Sequence, residues 1–228
     1  MTNIYKSISA LLLASLPGCA AIVFNDLTNN GTIPSSISSF GGDQVQGSNF
    51  GGPSHVSAIT AAQFTPNQNY SLTKVDIAIG NNGGPGDSNV TIEFFTDSLG
   101  LPGSQIGGLS WSFVAASGTF TNVSQVAVSG ITVSAGTPYW LVVLPGDANT
   151  TTLWAINSLS PSFQGPHAIE TPPLSGWSLQ NAPGNFFDPA FAIEGDVIPT
   201  PEPATLGMIG AGILVAGLRR RRAFVYGC

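Results

Sequence analysis

Leu72-Thr73-Lys74-Val75-Asp76-Ile77-Ala78-Ile79 decides the fold. Val75, Ile77 and Ile79 alternate with Lys74, Asp76 and Ala78. Successive side chains of a strand point to opposite faces, whereas a helix repeats every three to four residues. The period of two therefore predicts a half-buried strand, with its charges turned away from the core.

The same pattern recurs on both sides. Downstream, Asn81-Asn82-Gly83-Gly84-Pro85-Gly86 is a turn cluster. Val90, Ile92 and Phe94 then alternate with Thr91, Glu93 and Phe95. Residues 97 to 103, Asp-Ser-Leu-Gly-Leu-Pro-Gly, turn the chain again, and Leu109, Trp111 and Phe113 form another alternating set. Val123, Val126, Val128, Ile131 and Val133 predict one or two strands interrupted at Gly130. Tyr139 to Leu144 is almost wholly apolar and predicts a central core strand. Leu153 to Ile156, Trp177 to Leu179 and Phe191 to Val197 complete the series.

Upstream, Val56 to Phe64 and Ile22 to Asn25 predict further strands. Residues 26 to 54 are rich in Gly, Ser and Asn and predict a long loop, with a short strand around Gln44 to Gln46. Short strands separated by Gly, Pro and Asn turns imply an all-β domain, an antiparallel β-sandwich of jelly-roll type, over residues 56–197. A strand-and-loop region, 22–55, precedes it. The expected core includes Val75, Ile77, Ile79, Ile92, Phe94, Trp140, Val142 and Phe191.

Composition narrows the partners. Only 8% of the 228 residues are charged. Residues 22 to 198 carry eleven acids, one lysine (Lys74) and no arginine. Nucleic-acid binding needs basic contacts to phosphate, so that class is excluded. Cys19 and Cys228 are the only cysteines and fall outside this region, which therefore has no disulfide and no thiol chemistry.

Both ends are directed to membranes. Residues 1–21 carry Lys6, an apolar Ile8 to Leu16 and the small Cys19-Ala20-Ala21, the pattern of a secretory signal peptide. The mature chain is expected to start near Ile22. Leu16-Pro17-Gly18-Cys19 also resembles a lipobox, which would acylate Cys19; proline before the glycine is atypical of it. At the other end, residues 198–203 form a proline-rich linker. Ala204 to Leu218 follows without a charge, and then Arg219, Arg220, Arg221 and Arg222. As a helix those apolar residues span roughly 22 Å, short of the roughly 30 Å of a hydrocarbon core. Bilayer thinning and snorkelling of Arg219 absorb part of the difference. The reading is a single transmembrane helix, 204–218, with residues 219–228 as a basic cytoplasmic tail.

Pro201-Glu202-Pro203, then Ala204-Thr205-Leu206-Gly207, then Arg219 to Arg222 resemble the PEP-CTERM sorting signal of exopolysaccharide-producing Gram-negative bacteria. The resemblance implies recognition by an exosortase, a membrane protease or transpeptidase, and processing near Pro-Glu-Pro. Six residues, Ala223 to Cys228, follow the arginines, where such proteins usually stop almost at once. A second resemblance is carried by residues 81–86, 96–104 and 136–143 together with Trp154. These look like the choice-of-anchor extracellular domains, which are β-rich bacterial surface modules. That resemblance implies a fold and a location but no catalytic residues.

Catalytic chemistry finds little footing. His55 and His167 are the only histidines, and neither lies in a metal-binding motif. Both are expected at the surface or in loops. Asp87, Glu93, Asp97 and Asp147 could serve glycoside hydrolysis only as a closely spaced pair. Asp87 and Asp97, with Asp147 and Asp188, lie in turn-like segments where free carbonyls suit Ca²⁺, although aspartates favour turns anyway. No other cofactor is expected. Trp111, Trp140 and Trp154 are read as core, and Trp177, beside Gly176, is the candidate sugar contact. Asn30, Asn89, Asn122 and Asn149 begin Asn-x-Ser/Thr triplets that the composition explains by chance.

Together these readings give an exported structural or interaction protein of the cell envelope or extracellular matrix, without enzymatic activity. The alternative is a carbohydrate-binding module associated with exopolysaccharide, and a hydrolase stands third. Four arginines at the bilayer centre would each cost about 2.5–3.5 kcal/mol, so they should stop transfer. Replacing Arg219 to Arg222 with neutral residues is expected to impair retention or invert the segment, which protease accessibility of the tail would register.

Overall fold

The computed structural model describes residues 20–27, 37–49, 58–81, 88–115, 123–157, 166–170, 176–180 and 188–199. Among these residues the chain is all-β, without a helix, and every strand pairing is antiparallel. The strands are β1 (Ala20–Asn25), β2 (Ile37–Gln46), β3 (Ile59–Phe64), β4 (Tyr70–Ile77), β5 (Ile79–Asn81), β6 (Asn89–Ser98) and β7 (Leu101–Val114). There follow β8 (Ser124–Ala127), β9 (Thr132–Val133), β10 (Tyr139–Pro145), β11 (Thr151–Asn157), β12 (His167–Glu170), β13 (Ser178–Leu179), β14 (Asp188–Pro189) and β15 (Phe191–Val197).

Three sheets result. One has the order β1-β15-β4-β8, with β9 also on β4. The second is six-stranded, β13-β12-β3-β10-β6-β7. The third is β14-β11-β2, with β5 also on β11. One core unites them. Leu72, Val75, Ile77, Phe191 and Ile193 come from the first sheet, Phe64, Ile92, Phe94, Leu141 and Val143 from the second, and Val45, Ile79 and Trp154 from the third. The rings of Phe24, Phe64, Phe94 and Phe191 meet there; Phe24 stacks on Phe191 at 4.6 Å and Phe94 meets Phe64 edge-on at 6.1 Å.

All eight expected core residues are buried. They do not share one face. Trp140 and Val142 pack with Ala61 and Ala168 on the other side of the six-stranded sheet. This explains why Tyr139 to Leu144 lacks alternation: β10 is central, between β3 and β6, with apolar neighbours on both faces.

The opening stretch also resolves in detail. Leu72 and Val75 both face the core although three positions apart. The register explains it: Glu194 pairs with Lys74 but Gly195 with Leu72, so Thr73 is the extra residue of a β-bulge. The Thr73 carbonyl turns to accept from the Val128 amide at 3.0 Å. On the outward face Lys74 bridges Asp76 at 3.0 Å and Glu194 at 2.9 Å. Its pKa is raised, chiefly by the bond to Glu194.

Four expectations need correction. Residues 37–46 form a ten-residue strand, not a loop ending in a short strand. Its pairing with β11 jumps from Ala155–Gly42 to Ile156–Ser38, so the alternation is broken by bulged residues between Ser38 and Gly42. The turn placed at 97–103 is only Leu99-Gly100; Asp97 ends up in β6, and Pro102 and Gly103 in β7. His167 is not a surface residue but is buried in β12 opposite Ala62, and burial pulls its pKa below the ordinary value. A four-residue strand with no flanking alternation gave no sign of this. Finally, the strand expected at Ile22 to Asn25 starts two residues earlier, at Ala20. A cut after Ala21 would remove the Ala20–Asp196 and Ala21–Gly195 pairs.

The bulge leaves room for glycine alone at position 195. A Cβ there would lie 2.8 Å from the Ser71 carbonyl oxygen and 3.2 Å from both Tyr70 Cβ and Val23 Cγ2. Gly195→Ala is expected to lower folding stability by about 1–3 kcal/mol, the usual range for overpacking, as read by denaturant titration.

Candidate functional site

The strands define two ends of the domain. β6 and β10 are antiparallel, so Asn89 and Pro145 lie at one end and Thr96 and Tyr139 at the other. At the Asn89 end, β6 pairs Asn89 with Val114 of β7, and Val90 with Pro145 of β10. An open groove of about 270 Å³ lies there, lined by Asn89, Val90, Ser112, Phe113, Val114, Gly146 and Asp147. Phe113 rests partly on the core, while Val114 is largely exposed, so the apolar part of the wall is accessible.

Its polar rim is held by a dense network. The Asn89 carbonyl accepts from the Gly146 amide at 2.9 Å and from Thr150 Oγ1 at 2.7 Å. Asn89 Nδ2 donates to Asp147 Oδ2 at 3.0 Å, and the other oxygen of Asp147 accepts from the Asn149 amide at 2.7 Å. Asn49 Nδ2 donates to Asn149 Oδ1 at 2.7 Å, while its backbone amide donates to the Ala148 carbonyl. Asn89 and Asn149, two of the triplet asparagines, are thus both engaged within the protein.

Of Asp87 and Asp97, the aspartates expected to hold a metal, Asp97 lies among the described residues. Asp97 accepts three hydrogen bonds: Gln63 Nε2 at 2.8 Å and Trp140 Nε1 at 2.9 Å on one oxygen, and the Gly100 amide at 3.1 Å on the other. It closes the β6–β7 turn and satisfies a buried indole. Asp147 belongs to the groove, Asp188 pairs with Asn157 at the β14–β11 contact, and Asp87 lies outside the described residues. Among the described residues no three His, Cys, Asp or Glu side chains converge as a metal would need. Glu93 sits opposite Val142 and Ser110, and burial pushes its carboxyl above the usual range. Trp177 is half-buried against Trp140 and its neighbours, so its ring is less available than its flanking Gly176 suggested. His55, Pro201, Glu202, Pro203, Arg219 to Arg222 and the cysteines lie outside the described residues, as does the expected helix 204–218. Among the described residues no helix is long and apolar enough to cross a membrane.

The groove network was not foreseen, because its bonds join positions 61 and 100 residues apart. The glycines were the available signal. A Cβ at Gly47 would collide with the backbone of Asp147 and Ala148, and one at Gly146 would lie 2.9 Å from the backbone of Asn89.

The chain matches the PEP-CTERM protein-sorting motif over residues 199–222. The match begins two residues after β15 ends at Val197. The motif implies an exosortase-targeted exported protein, sent to the cell envelope or extracellular space of a Gram-negative bacterium. No curated protein and no solved structure matches the chain.

Hydrogen bonds to charged groups each contribute about 1.5–3 kcal/mol, and an orphaned buried donor adds a penalty. Asp97→Ala is therefore expected to lower stability by about 2–4 kcal/mol. Adding Ca²⁺ or a chelator should leave the melting temperature of the unaltered protein unchanged; a rise with Ca²⁺ would show that the folded chain binds the metal.

Proposed function

We propose that this chain is an exported structural or interaction protein of the cell envelope or extracellular matrix, without catalytic activity, held transiently by its C-terminal segment and then processed by an exosortase. Residues 1–21 serve as its signal peptide, and 204–218 as a transmembrane helix with Arg219 to Arg222 in the cytoplasm. The single observation that carries this reading is the match at 199–222, placed directly behind the last strand. The prolines at 199, 201 and 203 lack amide donors and disfavour helix before them, which suits an extended segment that a protease can bind. In the same reading the two larger sheets, with their shared core, form the halves of a β-sandwich of choice-of-anchor type.

The groove beside Asn89 favours a second reading, a carbohydrate-binding module for exopolysaccharide. Phe113 and Val114 beside Asn89, Ser112 and Asp147 set an apolar surface next to hydrogen-bonding groups, which supports that reading. Co-sedimentation of the secreted form with the host polysaccharide separates the two readings.

Changing Pro201-Glu202-Pro203 to alanines is expected to leave membrane insertion intact and block processing, so that the precursor accumulates in the native host. Normal processing of the triple-alanine protein would contradict the sorting role of these residues.

A further inference from the structure

The end of the domain opposite the groove is where the chain leaves it. β15 ends at Val197, which pairs with Tyr70, and β1 begins at Ala20, which pairs with Asp196. The loops at 65–69 and 134–138 gather at this end: the Gly136 amide donates to the Pro66 carbonyl at 2.8 Å, and the Ala135 amide to Asn69 Oδ1 at 2.9 Å. Tyr139 joins them, its hydroxyl accepting from the Ser134 amide at 3.1 Å. The tip of the β6–β7 hairpin lies just beyond the Tyr139–Thr96 pair.

Leu99 forms that tip, and it is fully exposed at 101%. Its φ of +56° and the +81° of Gly100 put both central residues in the left-handed region, where asparagine or glycine normally stands first. A leucine that touches nothing and strains its backbone gains nothing from its own domain. Charge is also distributed to suit. Among the described residues, the loop segments 65–69, 99–100 and 134–138 of this end contain no ionisable side chain. The nearest acids lie in strands: Asp97, tied to Trp140 and Gln63, and Asp196 of β15.

Chain length supplies the occupant. Six residues lie between Val197 and Ala204, and these seven Cα-to-Cα steps reach at most about 25 Å when fully extended. We infer that this end is a membrane-facing base, and that Leu99 enters the interface of the lipid bilayer while the C-terminal anchor is intact. This rests on the reading of 204–218 as a membrane span. The eleven acids of residues 22–198 would be repelled by an anionic bilayer, and the base, whose loops carry no charge, is the end that meets it at the lower cost. The groove then faces away from the membrane.

The test uses the full chain with Cys19 and Cys228 changed to serine, carrying Leu99→Cys or, at the far end, Val114→Cys. Each is labelled with an environment-sensitive fluorophore and reconstituted in vesicles of phosphatidylethanolamine and phosphatidylglycerol bearing a lipid-attached quencher. The expected result is at least twofold stronger quenching at 99 than at 114, lost when a long Gly/Ser spacer is inserted after Val197. Equal quenching at the two positions, in protein that resists carbonate extraction, would overturn the proposal and leave the anchor reading standing. Shielding of the Leu99 label in native membranes but not in these vesicles would also overturn it, in favour of a protein partner. Extraction of the protein by carbonate would remove the anchor reading and the proposal together.

Discussion

Ala78, Ala155 and Ala190 close a ring of backbone hydrogen bonds on which the joining of the sheets depends. The Ala78 amide donates to the Ala190 carbonyl at 3.1 Å, Ala190 to Ala155 at 2.8 Å, and Ala155 to Ala78 at 2.8 Å. Ala78 lies between β4 and β5, and Ala190 between β14 and β15. Two neighbouring segments thus leave the first sheet together and join β11 in the third. Buried backbone groups must find partners, and at such a corner the ladder cannot supply them. The ring does so, and Trp154 Nε1 adds a bond to the Ala190 carbonyl at 3.1 Å. All three alanines are fully buried, with Leu27 packed among them. Their small side chains let three backbones approach closely enough to close the ring.

That corner governs where the ends point. β15 must return alongside β4 and finish at Val197, next to the start of β1. The sorting motif follows within two residues. The last strand is not an edge strand but lies between β1 and β4, paired with β4 up to Val197 and with β1 up to Asp196. In sequence, the Pro-Glu-Pro of the motif begins four residues after Val197. The groove lies at the opposite end of β6 and β10.

Most strands were legible because one face is buried and the other wet, which writes a period of two into β4, β6 and the last strand. β10 was legible for the opposite reason, since both its faces are covered. What the sequence concealed has physical causes. The bulge at Thr73 shifts parity by one, so Leu72 appears out of phase with Val75 although both are core. β2 pairs through a large irregularity and contains Ser and Gly in place of β-branched residues, so it mimics a loop. His167 occupies a strand too short to show alternation. The groove depends on contacts between residues far apart in the chain, which no local pattern encodes. The sorting motif was fully legible, because it is a linear signal whose chemistry does not wait for a fold.

The central claim is that a β domain closed at Val197 is exported and then separated from its C-terminal segment. Intact-mass measurement of the form released by the native host tests this most directly, because it fixes both termini at once. The account predicts a chain that begins close to Ala20–Ile22, keeps all of β15, and ends near Pro201-Glu202-Pro203 without Ala204 to Cys228. A released protein that still carries the four arginines, or one cut inside β15, would contradict it.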